Sequence, residues 1–420
     1  MACFTPKGKF NFMEKIELLA PAGDSEKLDS AIYFGADAVY FAGKNYGLRA
    51  FAGNFEDEEL IKAVKKVHEA NKKAYITLNV FARNKDFNGL ADYLKVLEKA
   101  KIDACIVSDL GIFMFIKQHA PSLTLHVSTQ ANTTNKYSAK SWADLGAKRI
   151  ILARELSLEE IKEIRAFLPK DIELEAFVHG AMCISYSGRC LLSNYLSGRD
   201  SNHGECVQAC RWHYRLVEDE RPDSPLNIEE DERGAYILNS KDLCLIDYLK
   251  DLAEAGITSF KIEGRMKSPY YVATVVNAYR RAIDRLNEKH TKKENEAFAQ
   301  MLHAELKKAS HRDYTTGFMV NDNKLRQNYA SSSQVQESVF MAKVLKANGN
   351  EIVVEQRNKF SVGDKLEILS PNSDFNKELK IAKIINSKGK EVDSAKLVQE
   401  QVTIIADKAY NLKAGDILRK

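Results

Sequence analysis

No stretch of this 420-residue chain is apolar and unbroken for long enough to cross a bilayer, which argues against a helical membrane protein. The first twelve residues carry lysines and phenylalanines but no apolar core followed by a small-residue cleavage site, so no secretory signal is expected. An excess of one charge is missing too. Lys and Arg total 62 against 58 Asp and Glu, so any nucleic-acid contact must come from local patches. The motifs of hydrolytic and nucleotide chemistry are also lacking. His68-Glu69 has no second histidine one turn on, Ser187-Gly188 lacks the glycine two residues ahead of a nucleophile elbow, and no P-loop or dinucleotide fingerprint occurs.

Cysteine is scarce as well, seven in all, yet four fall together: Cys183, Cys190, Cys206 and Cys210, separated by six, fifteen and three residues. A cytoplasmic location is expected, where thiols stay reduced and such a group points to metal or redox chemistry before disulfides. Thiolates select zinc, copper(I) or iron–sulfur clusters over hard cations. Structural zinc favours two tight pairs, and only Cys206–Cys210 is tight, so the spacing favours a cluster while zinc stays open as the alternative. Cys244 is a possible replacement for Cys210 as fourth ligand; its plainer reading is a buried helix cysteine. Cys105, inside an apolar run, reads as core.

Over the first 265 residues, short β-rich runs alternate with amphipathic stretches. The candidate strands are Glu17–Ala20, Ala38–Phe41, Ala74–Val80, Ala104–Ser108, Leu123–Val127, Arg149–Ala153, Glu173–Val178, Tyr236–Asn239 and Ser259–Ile262. This alternation predicts parallel βαβ units and a (β/α) TIM-like barrel, with one strand candidate extra or at an edge. In such barrels the site lies just beyond the strands' C-terminal ends. Polar residues there are Asn79, Ser108 with Asp109, Ser128 with Gln130, Arg154 with Glu155, His179, Lys241 with Asp242, and Glu263 with Arg265. Any single one reads equally as a loop cap or a salt bridge; their recurrence at strand after strand makes them candidates. His179, Lys241, Glu263 and Arg265 are the catalytic candidates.

The expected organisation is a barrel domain over 14–270 with a cysteine cassette at 179–215, a helical and linker segment over 271–335, and a small all-β barrel over 336–420. Glu218–Arg233 reads as a solvated excursion from the cassette. The last domain carries two related turns, Val362-Gly363-Asp364-Lys365 and Ala414-Gly415-Asp416-Ile417.

The run from Glu175 through His179, Cys183 and Cys190 to Ser193 resembles, at every fixed position, the signature of the collagenase-like peptidases of unknown catalytic type, peptidase family U32. Glu17–Asp24, Gly35–Tyr40 and Lys261–Arg265 are similar to that family's opening, second and late strand motifs. The chain is most similar to the longer branch, which makes 5-hydroxyuridine at the tRNA wobble position. The resemblance implies oxygen-independent, prephenate-dependent hydroxylation and a [4Fe–4S] cluster held by Cys183, Cys190, Cys206 and Cys210, with Cys244 the alternative fourth ligand. It implies tRNA as partner, a small carboxylate as possible co-substrate, and no membrane; it sets no oligomeric state. Arg189, Arg199, Arg211 and Arg215 could pair with phosphate or carboxylate, and Tyr186, Trp212 and Tyr214 could stack on a splayed base. A collagenase-like peptidase and a zinc-stabilised RNA-binding protein are the rival readings.

Overall fold

The computed structural model describes residues 16–420 apart from 45, 47–53, 184, 187–188, 213–215, 219–220, 227–229, 232–233, 236–240 and 321–333. The expected strand Tyr236–Asn239 and the candidates Tyr214 and Arg215 lie outside the described residues.

Eight parallel strands close into a barrel. They are β1 (Glu17–Pro21), β2 (Ala38–Phe41), β3 (Lys73–Leu78), β4 (Ala104–Val107), β5 (Leu125–Val127), β6 (Arg149–Ile151), β7 (Glu173–Ala181) and the closing strand Ser259–Ile262, which pairs with both β7 and β1. The strands are near-continuous apolar runs because helices cover their outer face while the barrel interior covers the other. Side chains at the strand exits cap the helices that follow: Asp24 accepts from the Lys27 amide, Asp109 from Ile112 and Ser157 from Glu160. Asp109 is thereby accounted for as a helix cap.

The nine-residue β7 outruns the barrel, and its end pairs antiparallel with the strand Asp242–Cys244, Cys244 standing opposite His179. Asp242 is therefore the first residue of an antiparallel strand, where the sequence reading has it as a polar residue beyond a barrel strand. Hydrophobic pattern does not encode strand direction, which explains the difference. After the closing strand, helix Pro269–Arg285, capped by Ser268, packs on β1 and helix Ser25–Tyr33 in the place of the barrel's last outer helix. At the start of the stretch expected as a solvated excursion, Arg221–Leu226 pairs antiparallel with Leu216–Glu218.

Strands Phe340–Asn348, Glu351–Gln356, Lys365–Leu369, Glu378–Ile385, Gln401–Ala406 and Ile417–Arg419 form a second, antiparallel barrel, closed by pairing of Lys365–Leu369 with Glu378–Ile385. It is docked on the first. Arg419 holds Glu305 through two 2.7 Å hydrogen bonds, with both side chains inaccessible to solvent, and Leu369 and Ile417 join the core of the first barrel. The two Gly-Asp turns differ in role. Gly415, at φ +103°, brings the backbone so close to the Tyr33 ring that a Cβ would lie 3.0 Å from it, while Tyr33 Oη donates to Asp416 at 2.9 Å.

Candidate active site

The barrel interior is polar at both ends, and the two ends are built differently. At the floor, where strands begin, Arg149 donates to Glu17 (2.5 Å), Glu173 (2.7 Å) and Glu175 (2.9 Å). Ser259 Oγ lies 3.0 Å from Glu17 and 3.1 Å from Glu175, and Tyr75 donates to Glu17 at 2.8 Å. One layer up, the Lys261 ammonium sits 3.1 Å from Glu175 Oε1 and 4.3 Å from the centroid of the Tyr40 ring. Burial raises the Glu17 carboxyl, but the Arg149 charge and the hydrogen bonds from Arg149 and Tyr75 outweigh it and hold the group below its usual range.

His126, on β5 in the same interior, was not singled out by the sequence; a histidine within Leu-His-Val reads as an ordinary strand residue. Its ring meets Tyr75 edge-on, with centroids 4.9 Å apart, and its Nδ1 has no hydrogen-bond partner among the described residues. Burial first, then the nearby charges of Arg149, Lys261 and Lys73, keeps the imidazole neutral.

At the mouth, Arg265 is 3% exposed and donates to Asn54 Oδ1 at 2.5 Å and Thr77 Oγ1 at 3.4 Å. Asn79 Nδ2 reaches Ser128 Oγ at 3.4 Å, Ser108 Oγ donates to the Asn79 carbonyl at 3.0 Å, and Arg154 donates to the Ala181 carbonyl at 2.9 Å. Glu263 lies within 3.4 Å of Tyr40 Oη. The neighbouring backbones are tightly set. Gly180 has φ +110°, and a Cβ there would stand 2.6 Å from the Glu263 carbonyl, so His179-Gly180 admits no side chain at its second position.

His179 itself does not open to the mouth. It is 1% exposed and surrounded by Tyr271, Tyr279 and Tyr314. Tyr279 Oη donates to the Val178 carbonyl at 2.8 Å, so its 3.3 Å contact with His179 Nδ1 requires the ring nitrogen to donate. Burial depresses the His179 pKa to about 3. Cys244 is in the same pocket, 3.9 Å from Tyr279 Oη, its thiol pushed up to about 12 by burial.

The cysteine cassette leaves the end of β7 and is held at the loop after β3. The Phe81 amide donates to the Asn202 carbonyl at 3.2 Å, Arg83 pairs with Asp200 at 3.3 Å, and the Arg189 guanidinium lies 5.6 Å from the Phe81 ring centroid. β7 and β3 stand on opposite sides of the eight-strand ring, so the cassette crosses the mouth.

Cys183 and Cys206 are exposed, Cys190 and Cys210 half-buried, and none of the four is joined in a disulfide. Cys206 Sγ accepts the Gln208 amide at 3.4 Å and the Ser193 hydroxyl at 3.8 Å. In ligand type and number the cassette fits a soft metal or cluster. The sulfurs are not gathered: among the described residues no three His, Cys, Asp or Glu side chains form a group that could hold a metal ion. Tyr186, Trp212 and Arg189 are exposed on the cassette; Arg211 ends a short helical turn, Ala209–Arg211.

Comparison with known proteins adds a family and its relatives. The model described as Peptidase family U32 matches residues 23–328, and that described as Peptidase family U32 C-terminal domain matches 336–419. The chain is 39% identical to tRNA hydroxylation protein P1 of Bacillus subtilis (strain 168), over 98% of this chain and 96% of that protein. It is 36% identical to tRNA hydroxylation protein P of Escherichia coli (strain K12), over 87% and 88%. It is also 36% identical to the 23S rRNA 5-hydroxycytidine C2501 synthase of Escherichia coli (strain K12), over 65% of this chain and 40% of that protein.

Proposed function

The chain belongs to peptidase family U32, and from that premise we propose that it is an RNA-modifying enzyme which hydroxylates the wobble uridine of tRNA to 5-hydroxyuridine. The observation that carries this reading is the placement of four cysteines, none in a disulfide, on a cassette crossing the mouth of a (β/α) barrel. The names of the near-full-length relatives, tRNA hydroxylation proteins, support it.

Cys183, Cys190, Cys206 and Cys210 would hold a [4Fe–4S] cluster, with Cys244 the alternative fourth ligand. When bound, such a cluster supplies one-electron chemistry next to the substrate. Tyr186 and Trp212, exposed beside it, offer faces on which a base lifted out of a single-stranded loop can stack, while Arg189 offers a charge for the backbone phosphates. Prephenate is the proposed co-substrate; the mouth, with Arg265 and Arg154, supplies the cationic side for a small carboxylate.

The test is anaerobic purification with iron and sulfide analysis, together with mass spectrometry of tRNA from a host that lacks its own 5-hydroxyuridine enzymes and expresses this chain. Four iron atoms per chain and the appearance of 5-hydroxyuridine are expected, both lost in Cys183→Ala. Zinc without iron would favour an RNA-binding protein stabilised by zinc, and tRNA that stays unmodified would sink the proposed activity.

A further inference from the structure

The segment after β5 is bonded to the segment after β6. Thr129 Oγ1 donates to the Leu152 carbonyl at 3.0 Å, and the Ala153 amide donates to the Thr133 carbonyl at 3.2 Å. Between these ties the chain makes a short helical turn, Thr129–Ala131, that ends at Asn132 with φ +56°. The result is a polar shelf on one side of the mouth that the cassette crosses. On it Gln130 Oε1, Asn132 Oδ1, Thr133 Oγ1 and Glu155 Oε2 are shielded from solvent and have no hydrogen-bond partner among the described residues. Buried polar atoms are nearly always paired, and each one left alone costs stability. Four together at the C-terminal end of a barrel point to a ligand that completes them.

The chemistry of the four narrows that ligand. Amide and carboxylate oxygens accept hydrogen bonds, and each amide adds two donors whichever way it is turned. An acceptor beside a donor complements adjacent N–H and C=O groups, the arrangement of N3–H and O4 on uracil. Cytosine presents the reverse, an acceptor at N3 beside an N4 amino group.

We propose that Gln130, Asn132 and Glu155 read the Watson–Crick edge of the pyrimidine being modified and so determine base specificity. This rests on the RNA-hydroxylating reading above and extends it to residues outside the cassette.

The experiment compares wild type with Gln130→Ala, Asn132→Ala, Asn132→Asp and Glu155→Gln in the same tRNA-modification host. Four quantities are read for each purified protein: 5-hydroxyuridine in tRNA, iron content, thermal midpoint and affinity for unmodified tRNA. Loss of one base-edge contact is expected to lower modification by about tenfold or more, while affinity for the whole tRNA changes less than about threefold. Iron content and thermal midpoint are expected to stay at the wild-type level. The isosteric Asn132→Asp removes the amide donor and is expected to fall as far as Asn132→Ala, a result that a packing role would not give. Full modification by all four variants beside an active wild type would overturn this inference and leave the proposed activity standing. Loss of iron or of the folded state in every variant would make the shelf structural and also overturn it. A wild type that modifies no tRNA would overturn the proposed activity itself.

Discussion

The floor and the mouth of the first barrel hold similar polar inventories and treat them in opposite ways. At the floor the buried acids Glu17 and Glu175 meet the buried cations Arg149 and Lys261, with the more exposed Glu173 and Lys73 at the edge, so the buried charges are balanced. At the mouth, oxygens on Gln130, Asn132, Thr133 and Glu155 are buried without partners. A fully satisfied buried network holds a structure together; a partly satisfied one is a site that waits for something. In a barrel of this kind the N-terminal face serves stability and the C-terminal face serves chemistry.

The sharpest way to break this contrast is to remove the cation at the centre of the floor. Arg149→Ala leaves Glu17 and Glu175 buried beside each other without their shared partner, at a cost of about 3–5 kcal/mol. Chemical denaturation would check it, and a loss below about 1 kcal/mol would show that the floor is not what holds the barrel.

A second test uses pH. His126 and His179 are buried and neutral, with folded pKa values below the ordinary value, His179 at about 3. Below pH about 6.5 the unfolded chain binds protons at these positions and the folded chain does not, so stability falls with falling pH across the window down to about pH 3 for His179. The slope is about 1.4 kcal/mol per pH unit for each histidine while the folded form stays neutral. The lowered Glu17 carboxyl acts in the same direction at the acid end, its contribution being lost as pH falls through its folded value. Denaturation series from pH 7 to 4 on wild type and His126→Phe would show a shallower slope in the variant; identical slopes would mean that His126 is protonated in the folded protein.

Much of this architecture is legible in the sequence, because it depends on local pattern. Alternating strand and helix periods give the barrel, and the clustered cysteines mark the cassette. The polar exits Asn79, Ser128 with Gln130, Arg154 with Glu155, and Arg265 do fall at the mouth. What the sequence hides depends on contacts far apart in the chain. Nothing local marks Arg149 as more than the first residue of a strand, since its buried partner Glu17 is 132 residues away. Asp242 reads as a polar residue beyond a barrel strand, yet it opens a strand that runs antiparallel to β7. His179 follows a strand core as an active-site histidine would, yet three tyrosines enclose it. The two Gly-Asp turns are nearly alike in sequence, and only the Tyr33 contact shows that one of them docks the second barrel.

The finest test sets one hydroxyl from each end of the barrel against the other. Ser259 at the floor touches Glu17, Glu175 and Arg149, at 3.0, 3.1 and 3.3 Å. Removing it in Ser259→Ala takes away the one hydroxyl donor that Glu17 and Glu175 share and an acceptor for Arg149, and is expected to lower stability by about 1–2 kcal/mol. Thr133 at the mouth is equally buried, and its hydroxyl bonds to nothing among the described residues. Thr133→Val keeps the shape and removes only the polar atom, so stability is expected to hold or to rise by up to about 1 kcal/mol. Denaturation of both variants beside wild type reads the two numbers directly. If Thr133→Val costs as much as Ser259→Ala, the hydroxyl has a partner in solution and the mouth is as well satisfied as the floor. If the two move apart in the expected directions, the unpaired oxygens on the shelf are free to receive a ligand.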